Sequence, residues 1–85
     1  MQSFTYIIKD ELGVHARPAG LIVDEAKKYS ATLTMTCDGK RANAARLMAI
    51  MAMGIKYGSE VTVIAEGDDE AAAIEGMKQL FEANL

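Results

Sequence analysis

Thr32-Leu33-Thr34-Met35-Thr36-Cys37-Asp38-Gly39-Lys40 is the stretch that decides the fold. Polar and apolar residues alternate over its first six positions, which predicts a half-buried strand with Leu33, Met35 and Cys37 facing inward. The Asp38-Gly39 pair that follows is a dipeptide preferred in two-residue hairpin turns. A short return strand is therefore expected to begin at Lys40, and strands joined by such a turn must be antiparallel.

Two further segments alternate in the same way. Residues 3–8 and residues 60–66 each predict a strand with one apolar face. The inward-facing residues of these two strands are Phe4, Tyr6, Ile8, Val61, Val63 and Ala65. Because the alternate positions are polar, the other face of the sheet can remain in contact with water.

The segments between the strands carry helical patterns. Residues 16–28 repeat apolar side chains at spacings of three and four, which predicts a helix with one buried stripe. We expect its charged residues Asp24, Glu25, Lys27 and Lys28 to point to water. Residues 47–53 are too short and too rich in methionine and alanine for a strand, and Gly54 fits the end of a helix.

A last helix follows the strand at residues 60–66. Asp68 or Asp69 is expected to cap it, since aspartate is favoured at helix starts. Gly76 lies inside this helix and weakens it by roughly 1 kcal/mol relative to alanine. The buried stripe of the helix is predicted to be Ile74, Met77, Leu80 and Phe81.

The resulting element order, β-α-β-β-α-β-α, predicts an α+β fold. Helices that all pack on one face of a four-stranded antiparallel sheet give an open-faced two-layer β-sandwich. Three helices would cover one face of that sheet. With 85 residues the chain is expected to form a single domain over residues 1–85.

Composition excludes several classes of function. No apolar run approaches the ~20 residues that a membrane span needs. The net charge of −3, without a basic cluster, argues against nucleic acid as a partner. Cys37 is the only cysteine, and no His, Cys and carboxylate set has metal-ligand spacing, so we expect no metal and no cofactor. A lone cysteine and the absence of a signal-peptide layout favour the cytoplasm.

Gly13-Val14-His15-Ala16-Arg17-Pro18-Ala19 is the most informative stretch for function. It contains the only histidine and the only proline, and a proline suits the first turn of a helix. Ala16 and Pro18 would therefore form a helix N-terminus, where free backbone N–H groups attract an anion. Arg17 adds a planar cation suited to phosphate. A histidine at a helix start is otherwise more often a capping or packing residue. The interpretation of His15 as a functional residue beside an anion site therefore depends on Arg17 and Pro18.

With this motif and element order, the chain resembles the histidine-containing phosphocarrier (HPr) family of the bacterial sugar phosphotransferase system. The resemblance covers essentially the whole chain. Besides the histidine motif, it includes Asp38-Gly39-Lys40, Asn43, the segment from Leu47 to Gly54, and Ala65-Glu66-Gly67-Asp68-Asp69-Glu70.

The resemblance implies that His15 accepts a phosphoryl group on Nδ1 from phosphorylated enzyme I and passes it to an EIIA component of a sugar permease. The residue matching Arg17 assists the transfer. Such a carrier is a substrate of enzymes and not an enzyme itself, and it is expected to be a monomer because it meets successive partners. The alternative is a regulatory docking protein, controlled by the phosphorylation state of His15, that acts on a transcription factor or enzyme.

The methionine-rich segment is the second functional signal. The family resemblance implies that partners dock on apolar residues of this helix beside the histidine. Ile50 and Met53 are expected to belong to the core instead. The predicted docking patch consists of Leu47, Met48 and Met51, with Gly20, Leu21 and Asp24 contributed by the first helix.

Arg46 departs from the family pattern. Many Gram-positive relatives have a serine at this position that an ATP-dependent kinase phosphorylates, and arginine cannot be modified in that way. Where the regulatory phosphate would add about −1.5 to −2 charges, this chain carries a positive charge. We therefore expect the protein to escape that control. The sequence alone does not decide whether the chain is a paralogue that serves one transporter or a nitrogen-type branch.

Overall fold

The computed structural model describes all residues, 1–85, and has the predicted α+β architecture. Four strands form one antiparallel sheet: β1 (Gln2–Ile7), β2 (Thr32–Cys37), β3 (Lys40–Asn43) and β4 (Glu60–Glu66). Three helices accompany it: α1 (Ala16–Ala26), α2 (Leu47–Ala52) and α3 (Glu70–Asn84). The predicted order β-α-β-β-α-β-α is confirmed, although α1 ends two residues earlier than expected.

The sheet order is β1-β4-β2-β3, with every neighbouring pair antiparallel. The register aligns one residue from each strand in a row facing the helices: Phe4, Val63, Met35 and Ala42. On the opposite face Thr5, Thr62, Thr36 and Arg41 form the equivalent row, in which the two hydroxyl oxygens of Thr5 and Thr62 lie 3.1 Å apart. The predicted alternation between a buried and a wet face is therefore correct.

The hydrophobic core lies between this sheet and the helices. Buried residues of all three helices pack against the inward residues of the strands, and no polar or charged side chain is buried. Phe81 of α3 is fully buried and meets the rings of Phe4 and Tyr6 edge-on, at centroid distances of 5.5 and 5.7 Å. Such edge-to-face geometry is favourable for aromatic pairs.

Glu25, expected to point to water, instead lies at the packed junction of α1 and α3. Its carboxylate accepts hydrogen bonds from the Tyr29 hydroxyl (2.7 Å) and from Lys28 Nζ (3.0 Å). The hydrogen bond from Tyr29 is the main reason why the pKa of Glu25 lies below its ordinary value. A Cβ atom at Gly76 would overlap the Tyr29 hydroxyl and the Glu25 carboxylate, so a larger residue there would force these two side chains to shift.

Asp69 occupies the N-cap position of α3 but does not cap it, so this part of the prediction is wrong. Its carboxylate makes no bond to its own helix. Instead it accepts hydrogen bonds from the backbone N–H groups of Ser30 and Ala31 and from the Ser30 hydroxyl, at 2.8–3.2 Å. The backbone hydrogen bond from Ser30 is the main reason why the pKa of Asp69 is lowered. Asp69 therefore ties the loop after α1 to the start of α3.

Candidate functional site

His15 is the N-cap residue of α1. Its backbone is extended (φ −94°, ψ −171°), and its carbonyl accepts the first helical hydrogen bond, from the Ala19 N–H at 3.0 Å. The imidazole makes no capping hydrogen bond to the helix. The capping role that a histidine at a helix start often has is therefore absent, and the residue is partly exposed.

The loop before His15 is held by its backbone. The Gly13 N–H donates to the Asp10 carbonyl and the Val14 N–H donates to the Ile55 carbonyl, both at 3.0 Å. Gly13 has a φ of +67°, and a Cβ atom there would collide with the backbone of Ile55 and Lys56. Glycine thus meets both a conformational and a steric requirement, and the loop places His15 against a fixed support.

The start of α1 is open to an anion. The backbone N–H groups of Ala16 and Arg17 have no acceptor within the protein, and no acidic residue lies in the first turn. Pro18, the third residue of the helix, is buried and has no N–H to satisfy. Free N–H groups and the positive end of the helix dipole together favour a bound phosphoryl group.

A small cleft of about 40 Å³ brings the predicted residues together. Its lining consists of Asp10, His15, Arg17, Pro18, Leu21 and Asn84. The sequence predicted His15, Arg17 and Pro18 as one site, and the fold places them around one space. Asp10 and Asn84 were not anticipated. Asn84 lies at the end of α3, and nothing in the sequence signals that this end reaches the histidine loop.

The methionine-rich helix α2 divides its apolar residues between surface and core. Ile50 and Met53 are buried, as expected. Leu47 (41% exposed), Met48 (76%) and Met51 (41%) remain at the surface. The other members of the predicted docking patch lie on α1, which packs against α2: Gly20 and Leu21 are partly exposed and Asp24 is exposed. The geometry therefore leaves an apolar surface available, and its docking role stays a prediction.

Arg46 is the N-cap residue of α2 and is exposed. Its carbonyl accepts the first bond of that helix, from the Ile50 N–H at 3.1 Å. The guanidinium makes no ion pair. Arg46 is thus an unpaired cation at the edge of the apolar surface of α2.

The sequence profile described as "PTS HPr component phosphorylation site" matches residues 2–83. This chain belongs to the HPr family. It is 43% identical over 79 residues to the phosphocarrier protein HPr of Mycoplasma capricolum, covering 93% of this chain and 89% of that protein. The HPr of Treponema pallidum is 40% identical over 78 residues, covering 92% and 89% of the respective chains.

Solved HPr structures are similar throughout the fold. HPr-C-His from Thermoanaerobacter tengcongensis superposes with a TM-score of 0.93 at 42% identity, covering 98% of this chain and 93% of that one. The HPr of Bacillus anthracis gives a TM-score of 0.87 at 34% identity, covering 94% and 95%. HPr-family membership supports a phosphoryl carrier role in the phosphotransferase system, and HPr phosphocarriers are not themselves catalysts. None of the helices in this structure could span a lipid bilayer.

Proposed function

We propose that His15 is the phosphoryl acceptor of this carrier, charged by phosphorylated enzyme I and discharged to an EIIA component of a sugar permease. The observation that carries the proposal is the single cleft in which His15 and Arg17 meet at an open helix N-terminus. Each feature alone is common, but together they place a nucleophile and an anion site around one cleft.

The proposed step is an in-line exchange between two histidines. The Nδ1 lone pair of His15 attacks phosphorus while the bond from phosphorus to the donor nitrogen breaks and that nitrogen keeps the electron pair. The Arg17 guanidinium and the free N–H groups at the start of α1 face the negative oxygens during this exchange. Discharge is the reverse step with a histidine of the acceptor, so neither direction needs a metal ligand or a redox change at the carrier.

The same proposal assigns partner docking to Leu47, Met48 and Met51. Methionine suits a surface that must accept more than one partner, since its side chain is flexible and polarizable. We expect Met48→Ser to raise the KM of enzyme I for the carrier while leaving stability within about 0.5 kcal/mol, because the side chain is 76% exposed. Steady-state transfer kinetics measure this.

Ile7→Ser is a matched control for Met48→Ser. Ile7 is also an exposed large apolar residue, 54% exposed, but it lies on β1 among the outward-facing positions. An equal rise in KM for both variants would contradict a docking patch on α2.

Arg46 leads us to propose that the carrier escapes control by a serine kinase. Incubation with such a kinase and ATP is expected to leave the wild type unmodified. Arg46→Ser restores a hydroxyl at the exposed N-cap position of α2, and this variant is expected to be phosphorylated. Modification of the wild type at Ser30 or Ser59 would contradict the proposal.

A regulatory docking protein is the second candidate. It is favoured by a structural relative from Bacillus subtilis named Crh, a catabolite repression HPr, which is 32% identical with a TM-score of 0.70. A second Crh structure, at 34% identity, is described as a swapped dimer, and an HPr from Thermoanaerobacter tengcongensis also forms a dimer. For this chain we propose a cytoplasmic monomer, because the cleft has to meet a donor and an acceptor in turn.

Intact-mass spectrometry after incubation with enzyme I, magnesium and phosphoenolpyruvate tests the carrier role. One acid-labile phosphate is expected on the wild type and none on His15→Ala. Phosphate on the variant would contradict His15 as the acceptor. A wild type that stays unmodified by an enzyme I active on another HPr would favour the docking alternative.

A further inference from the structure

Asp10 lines the cleft, and the proposed mechanism does not use its carboxylate. It lines the same 40 Å³ space as His15 and Arg17. The cleft therefore combines a proposed phosphoryl acceptor and a cation with a fixed negative charge. That charge is of the same sign as the phosphoryl group that the site would hold.

The two oxygens of the Asp10 carboxylate have different surroundings. Oδ1 accepts a hydrogen bond from the Leu12 N–H at 2.9 Å, and the Asp10 carbonyl accepts one from the Gly13 N–H at 3.0 Å. These two bonds shape the turn that leads to His15. Oδ2 makes no hydrogen bond within the protein. Oδ1 therefore supports the turn, and Oδ2 is available to interact with a group bound in the cleft.

Asp10 is not neutralised by a neighbour. The ion pairs of the structure join Glu70 to the amino group of Met1 and Glu25 to Lys28, and neither includes Asp10 or Arg17. The backbone N–H of Asp10 donates to the Leu85 carbonyl at 2.8 Å, which fixes the residue from the side of α3. The carboxylate is therefore held at the cleft while Arg17 stays free for the phosphoryl oxygens.

We propose that the negative charge of Asp10 keeps the phosphoryl group on His15 readily transferable. The inference rests on the proposed carrier function. The helix N-terminus and Arg17 both stabilise a phosphoryl group, and stabilisation alone would leave phosphohistidine a poor donor. A fixed negative charge in the same small cleft opposes that stabilisation, because like charges repel strongly where water is partly excluded.

The charge acts on the transfer step without joining it. The bond between phosphorus and His15 Nδ1 breaks, the electron pair returns to Nδ1, and phosphorus bonds to the acceptor nitrogen. Asp10 gains and loses no proton or bond in this exchange. It raises the free energy of the phosphorylated carrier relative to the free one, and it shifts the equilibrium toward the acceptor.

Asp10→Asn separates the two roles of the residue. Asparagine keeps an Oδ1 acceptor for the Leu12 N–H and removes the charge, whereas Asp10→Ala removes both. Glu11→Gln is the matched control, since Glu11 is the adjacent exposed carboxylate and does not line the cleft. Equal amounts of phosphorylated, isotope-labelled wild type and an unlabelled variant are mixed with a catalytic amount of enzyme I. Intact mass then shows how one pool of phosphate divides between the two carriers.

The expected result is about a tenfold preference of phosphate for Asp10→Asn over the wild type, and an even division with Glu11→Gln. An even division with Asp10→Asn would overturn the inference, and so would an equal preference for Glu11→Gln, which would indicate net charge alone. A preference shown only by Asp10→Ala would assign Asp10 a purely structural role and overturn it as well. A wild type that enzyme I does not phosphorylate at all would contradict the proposed function and this inference with it.

Discussion

The two ends of helix α1 are built in opposite ways. At its start, His15 makes no capping bond, two backbone N–H groups lack an acceptor, and the first turn has no acid. In its last turn, Glu25 accepts hydrogen bonds from Tyr29 and Lys28, and past its end Asp69 accepts hydrogen bonds from the backbone of Ser30 and Ala31. One end is fastened by the carboxylates of Glu25 and Asp69, and at the other end the backbone N–H groups have no partner in the protein.

This contrast shows how one helix can serve stability and chemistry at once. A helix start that its own side chains satisfied would have no donors left for a ligand. The fastened end compensates by fixing α1 to α3 and to the loop before β2, so the open end needs no internal partners to stay in place. We infer that the unsatisfied groups mark the functional end of α1.

Reversing the charge at the open end should give the largest effect. Arg17→Glu places a carboxylate where the phosphoryl oxygens are proposed to lie, and we expect the rate of phosphorylation by enzyme I to fall about 100-fold or more. The thermal midpoint should hardly change, because Arg17 is exposed and has no ion pair. Rapid-quench kinetics and calorimetry provide the two readings.

Lys27→Glu makes the same charge reversal at the fastened end. It is expected to cost about 0.3–1 kcal/mol, since a cation is favoured near a helix C-terminus, with no change in transfer rate. If both charge reversals slowed phosphoryl transfer equally, the transfer rate would depend on the net charge of the protein and not on which end of α1 carries the substitution.

Gly76→Ala should disturb the fastened end. Alanine is the better helix former, by roughly 1 kcal/mol, yet its Cβ would overlap the Tyr29 hydroxyl and the Glu25 carboxylate. We expect a net destabilisation of about 1–3 kcal/mol in urea denaturation with phosphoryl transfer unaffected. Adding Tyr29→Phe should recover part of the loss, because it removes the nearest of the overlapping atoms. A more stable Gly76→Ala protein would show that the α1–α3 contact is loose.

Asp69→Asn should give the smallest effect, and one that depends on pH. The pKa of Asp69 is lowered in the folded protein from an ordinary value of 3.8. Its contribution to stability is therefore present above that ordinary value and is lost as the pH falls through the lowered one. The variant should be less stable than the wild type near pH 7, and the two should converge in acid. The measurement is the urea midpoint of both proteins across the acidic range. A difference between wild type and variant that does not change with pH would show that the charged hydrogen bonds to Ser30 and Ala31 contribute nothing to stability.

Local sequence patterns predicted most of the architecture. Alternation placed the strands within about one residue, and Asp38-Gly39 predicted the hairpin. The exposure of Met48 was an expectation from the family resemblance, and the burial of Ile50 was predicted as part of the core. The pairing of β4 with both β1 and β2 was not predicted, because alternation reports which face a residue occupies and not which strand lies beside it.

The unpredicted features depend on contacts between distant residues. Asp69 looked like a cap because aspartate is common at helix starts, but its partners lie in the loop before β2. Gly76 looked like a weakness because its cost is local, whereas a glycine there leaves room for the side chain of Tyr29, which lies in the loop after α1. The position of Asp10 at the cleft depends on how the loop turns against Ile55, which the residue types alone do not specify.

The central position of β4 has a consequence for synthesis on the ribosome. β1 has no other partner in the sheet, and β2 and β3 are joined to it only through β4. The nascent chain can therefore form the β2–β3 hairpin, but it cannot close the sheet until residues 60–66 have emerged. The loop that carries His15 also needs Ile55 as its support. The proposed phosphoryl site is therefore expected to form only late in synthesis, so partially made chains should not compete with finished ones for phosphate.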